Sequence, residues 1–145
     1  MPTPFTCEAD IHRIGRGFLD LTLPKPEWTH AAHFAAALWL MRHQPERDLP
    51  AEMPGLIRRY NEATGVANTD SGGYHETITL ASLRAARAVF ASYRASTPLY
   101  EIANALMASP LGAPDWLLVY WSRPRLMSVE ARRHWGEPDL QPLLF

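Results

Sequence analysis

Glu27 to Met41 reads EWTHAAHFAAALWLM, and this stretch decides the fold. On a wheel at about 100° per residue, Trp28, Phe34, Leu38, Trp39, Leu40 and Met41 go nearly all the way round. A helix with no polar face belongs in the middle of a domain, covered on every side. The expectation is an all-α protein with this segment, about Glu27 to His43, as its buried central helix. It carries two histidines, His30 and His33, three apart and so on one face. One turn on, Ala36 and Ala37 are small, which leaves room beside the imidazoles for something else.

Working outward, prolines and glycines punctuate further helical segments. The first, about Glu8 to Leu21, is weakened by Gly15 and Gly17, each costing roughly 1 kcal/mol inside a helix. "TLPKPEW" is a turn, with Pro24 and Pro26 ahead of the central helix rather than inside it. "HQPERDLP" ends that helix, and a third spans about Pro50 to Ala63, closing at Gly65. After the polar loop "GVANTDSGG" comes a fourth, about His75 to Ala95, and then a fifth, about Pro98 to Ala108. "PDWLLVYW" reads as helical, and "SVEARRHW" as a short helix with Ser128 as N-cap. The tail "PDLQPLLF" should lie extended against the body. With no repeat or linker, residues 1–145 form one domain, a compact bundle of about five or six helices.

The second informative stretch is NTDSGGYHETITLASL, Asn68 to Leu83. On the fourth helix, Ile78, Ala85, Ala86, Val89, Phe90 and Tyr93 define an inward arc. His75, Thr79 and Ser82 fall inside it, Glu76 lies at its edge, and Arg84, Arg87 and Arg94 point away. A buried imidazole needs a partner. One solution is ordinary: each histidine bonds a backbone carbonyl or a neighbouring side chain. The other is a divalent transition metal (zinc, iron, nickel or copper) held by His30, His33 and His75, with one position open to water or substrate. H-x-x-H alone is a weak pattern, and it is not the H-E-x-x-H of zinc proteases.

Three functions follow as expectations. The first is a small-molecule enzyme using that metal, with Glu76 and His75 as the catalytic pair and Glu76 moving the proton. The second is a non-catalytic module binding a small anionic metabolite between the same helices, since a helix start favours an anion. The third is a metal-free isomerase or dehydratase working through His75 and Glu76. In each, Trp28, Asn68, Asp70, Tyr74 and Thr79 are candidate ligand contacts, with the Asn68 to Gly73 loop over the mouth of the site. A solvated turn explains that loop equally simply.

With those residues in hand, the chain resembles a family of small bacterial helical proteins. The signature couples an aromatic-T-H-x-x-H helix, here Trp28, Thr29, His30 and His33, to a Y-H-E-T-I-T helix start, here Tyr74 to Thr79. "YNEATGVANTD" and "PDLQPL" extend the likeness over most of the chain. The resemblance implies that the histidines belong to one site, and it assigns no substrate, cofactor or reaction.

Composition bounds the rest. Hydrophobic residues make up 47% and charged ones 20%, with a formal net charge of −1, as in an ordinary globular domain. No basic surface exists to attract nucleic acid or an anionic membrane. The longest apolar run, Ala31 to Met41, is broken by His33 and too short to span a bilayer. Cys7 is the sole cysteine, so no internal disulfide or cysteine-based zinc cluster can form. The start "MPTPFTCEADIH" has no signal-peptide pattern, and a cytoplasmic location is expected. His12, His43 and His134 read as surface residues. Arg123, Arg125, Arg132 and Arg133 read as solvated or carboxylate-paired.

Overall fold

A computed structural model describes residues 3–145. It is all-helical, with no strand among the described residues. Five longer helices are α1 (Glu8–Asp20), α2 (His30–His43), α3 (Leu49–Ala63), α4 (Glu76–Ala91) and α5 (Leu99–Ala108). Two short ones, α6 (Arg123–Leu126) and α7 (Val129–Arg133), follow near the C-terminus. Single 3-10 turns occupy Lys25–Glu27, Pro110–Gly112 and Trp116–Val119. No helix among the described residues is long and apolar enough to cross a membrane.

The all-round apolar helix is central, as its pattern requires. Every residue from Phe34 to Met41 is buried, and α2 packs against α1, α4 and α5. It begins three residues later than Glu27. Pro24 and Pro26 hold the chain in a 3-10 turn, and Thr29 then caps α2 by accepting the N–H of Ala32 at 3.2 Å. In the same way α4 starts at Glu76 because His75 is its cap, and it stops at Ala91 rather than Ala95. "PDWLLVYW" forms only a 3-10 turn, whereas Ser128 caps α7 as its sequence suggests, accepting from Ala131 at 3.1 Å.

The glycines of α1 are a packing device more than a weakness. A Cβ on Gly15 would stand 2.4 Å from the indole of Trp39, so the two helices can approach this closely only without one. Trp39 is held in turn by an indole N–H bond to His12 Nδ1 at 3.3 Å. At the other end, the tail runs without regular structure along the body. Leu140 N–H bonds the carbonyl of Tyr120 at 2.9 Å, and Phe145 meets Trp116 edge-on at 6.2 Å.

Gly15→Ala should therefore lower stability by about 1–3 kcal/mol, because overpacking against a fixed indole outweighs the roughly 1 kcal/mol gained in helix propensity. Gly55→Ala is the matched control. Its Cβ would meet only the far end of Arg59 at 3.5 Å, so that change should leave stability equal or higher. Denaturant unfolding of both variants measures this, and a stabilised Gly15→Ala would disprove the close approach.

Candidate functional site

A cavity of about 320 Å³ opens beside the first turns of α2. One wall is α2 itself, with His30, His33, Phe34, Ala36 and Ala37. Met53 and Ile57 of α3 and Ile78, Thr79, Ser82 and Leu83 of α4 form two more. Trp28 and the segment Pro114, Trp116 and Leu117 complete it. The small alanines expected to leave room do border the space. No lining residue carries an acidic side chain, a lysine or an arginine.

Both imidazoles of α2 are fixed by backbone carbonyls. His30 Nε2 lies 2.8 Å from the carbonyl of Leu111, and His33 Nδ1 lies 2.6 Å from that of Thr29, one turn back. A carbonyl only accepts, so each of these nitrogens carries the ring proton and donates. The opposite nitrogens, His30 Nδ1 and His33 Nε2, have no protein partner among the described residues. In that region no side-chain nitrogen or oxygen is sealed away without a partner, so the second nitrogen of His30 is open to solvent or ligand. His33 lines the cavity and retains exposed surface. Its ring stacks on Trp28 at 3.9 Å between centroids, and Trp28 stacks on Phe18 at 4.7 Å. Burial, followed by the nearby His30, holds the proton affinity of His33 below the ordinary imidazole value of 6.5, against the pull of the Thr29 carbonyl. The direction of that shift favours the neutral ring.

His75 is elsewhere in role, and the three-histidine centre is not assembled. No group of three His, Cys, Asp or Glu side chains that could hold an ion exists among the described residues. Both nitrogens of His75 are used: Nε2 donates to the carbonyl of Leu126 at 2.7 Å, and Nδ1 accepts the N–H of Ile78 at 3.2 Å. With both nitrogens of His75 engaged by the backbone, His30, His33 and His75 do not converge on one position. The ordinary solution of one carbonyl per histidine applies to all three.

Glu76 and His75 also do not meet the cavity. Glu76 accepts the hydroxyl of Tyr74 at 2.5 Å. Burial first, then this carboxylate, raises the proton affinity of Tyr74 above its ordinary range, and Arg58 covers its ring at 4.5 Å. Thr77, fully buried, donates to the carbonyl of Ala131 at 2.6 Å and accepts the N–H of Gly136 at 3.0 Å. The Y-H-E-T-I-T start thus holds the C-terminal segment onto α4 through His75 and Thr77. It is a staple.

The loop before it faces the same way. Asn68 accepts from both Asn61 Nδ2, at 2.9 Å, and the N–H of Tyr74, at 3.0 Å. Gly73, at φ 79°, lets the chain turn over that side chain, where a Cβ would clash with the carbonyl of Ala67 at 2.4 Å. Asp70 forms a two-pronged pair with Arg133 of α7, at 2.7 and 2.5 Å. Arg132 donates to the carbonyls of Gly73 and Tyr74. Asn68, Asp70 and Tyr74 are thus joined to α3 and α7 and do not line the cavity, whereas Trp28 and Thr79 do. His12, His43 and His134 are exposed as expected.

Ser82 was visible on the inward arc of α4 without a role, and it proves to be a wall residue. Trp116, Leu117 and the carbonyl of Leu111 had no sequence signal, because only the folded chain brings them to α2. Compared with known protein families, with curated proteins and with solved structures, the chain matches none.

Stability should fall as acid is added, and His75 predicts where. Burial holds its proton affinity below 6.5, so the folded chain refuses a proton that the unfolded chain takes. The contribution is intact above about pH 6.5 and is lost as pH falls toward the lower folded value, with a limiting slope of about 1.4 kcal/mol per pH unit for one proton. His33 acts in the same sense. Denaturant unfolding from pH 7.5 to 5 should show a shallower slope in His75→Asn, which keeps a cap but cannot titrate. Equal slopes would mean that His75 is not held neutral.

Proposed function

We propose that this protein binds a small, mainly apolar molecule in the cavity between α2, α3 and α4. The observation that carries the reading is the combination of a 320 Å³ space with apolar walls and two imidazoles, each fixed in orientation by a backbone carbonyl. Concave sites of this kind, mostly apolar with a few placed polar groups, are the usual form of small-molecule sites. The space suits a molecule of one or two rings, and Trp28 and Trp116 offer aromatic faces to it.

A second reading is favoured by His33. Its neutral ring, with Nδ1–H oriented by Thr29, has the features of a general base: a fixed tautomer and a nitrogen free to take a proton. An acid–base enzyme acting on the bound molecule would then use His33, with His30 beside it, in place of His75 and Glu76.

Binding is tested with N-phenyl-1-naphthylamine, a neutral dye that brightens in apolar surroundings. Saturable brightening by the native protein is expected. Ser82→Phe, which fills the cavity from a half-buried position on α4, should remove it while circular dichroism stays helical. Brightening that survives unchanged in Ser82→Phe would place the dye elsewhere and defeat the reading.

A further inference from the structure

The polar character of the occupant follows from which atoms the cavity offers. Neither ring proton of the histidine pair is available to a ligand. His30 spends its N–H on Leu111, and His33 spends its own on Thr29. On a neutral imidazole the nitrogen left over is a lone-pair acceptor, and each ring has one such nitrogen, His30 Nδ1 and His33 Nε2, without a protein partner among the described residues. The first-turn N–H groups of α2 do not restore donors evenly. Ala32 N–H goes to Thr29 Oγ1, and that of His33 goes to the Thr29 carbonyl. Thr79 and Ser82 add hydroxyls, which can accept as well as donate.

The second observation concerns charge. No Arg, Lys, Asp or Glu lines the space, so an ion entering it would lose water without gaining a counter-charge. Such a transfer is strongly unfavourable. A carboxylate meets a further obstacle, since its oxygens would face two acceptor nitrogens. A neutral hydroxyl or N–H group meets a lone pair instead.

Resting on the binding reading above, we propose that the cavity selects uncharged apolar molecules whose polar group is a hydrogen-bond donor, such as a phenol, an alcohol or an N–H heterocycle. This differs from an anionic metabolite, which the helix start alone would suggest. The helix end does not decide the matter, because Thr29 and Ala31 at the start of α2 do not line the cavity, whereas His30 and His33 do.

The test is displacement of N-phenyl-1-naphthylamine from the native protein by three molecules of nearly one shape: 4-ethylphenol, ethylbenzene and 4-ethylbenzoate. The phenol should displace the dye at about one-tenth the concentration that ethylbenzene needs, the effect of one hydrogen bond in a dry site. The benzoate should be weakest. His33→Phe keeps a ring against Trp28 but removes the acceptor, and it should bring the phenol close to ethylbenzene. Displacement by ethylbenzene equal to that by the phenol, or strongest by the benzoate, would overturn the donor preference while leaving the binding site in place. Failure of the dye to bind at all would remove the site and this inference together.

Discussion

The structure depends on burying α2 from Phe34 to Met41. A helix carrying Phe34, Leu38, Trp39, Leu40 and Met41 around its circumference has no face to give to water. Its neighbours must therefore come close, and Gly15 is the local concession that lets α1 do so against Trp39. In the first turns of that helix, half-buried His30 and exposed His33 bond the carbonyls of Leu111 and Thr29, which are within reach. Those two bonds set the tautomers and, with them, the chemistry presented to the cavity.

A second constraint works at the start of α4. The two C-terminal helices have four and five residues, too short to persist unaided. They are ordered by contacts to the rest of the chain, and His75 and Thr77 supply the buried ones, to Leu126, Ala131 and Gly136. Asp70 and Arg133 add an exposed pair, which contributes little by itself. The polar residues clustered at the start of α4 are thus explained by architecture. Their hydrogen bonds run away from the cavity rather than into it.

Much of this was legible in the sequence. The apolar wheel of α2 gave its central place, and Pro, Gly and Ser positions marked most helix ends within a few residues. His30, His33 and the space beside Ala36 and Ala37 were legible for the same reason, since helical spacing fixes faces. What periodicity cannot supply is the identity of a partner distant in the chain. His75 lies on an inward arc, as its position requires, yet whether that arc meets α2 or α7 at its first turn depends on the path of residues 109–136. Leu126 is 51 residues away from His75, and Leu111 is 81 from His30. A polar residue on a buried face looks alike whether it serves a ligand or a carbonyl, so a staple and a catalytic pair share one sequence pattern.

The staple also bears on how the cavity can open. Pro114, Trp116 and Leu117 belong to the same chain segment that His75 and Thr77 anchor further along, and they are the wall not contributed by Trp28 or a long helix. Partial unfolding of a protein proceeds in contiguous cooperative units, the least self-sufficient first. The stretch after α5 is built from turns and very short helices. For a guest that touches Trp116, binding and the release of this stretch would be linked equilibria. A bound molecule touching Trp116 would slow the fraying of this C-terminal quarter, and a residue with no contact to the guest, Thr77, would help to set how quickly it can leave.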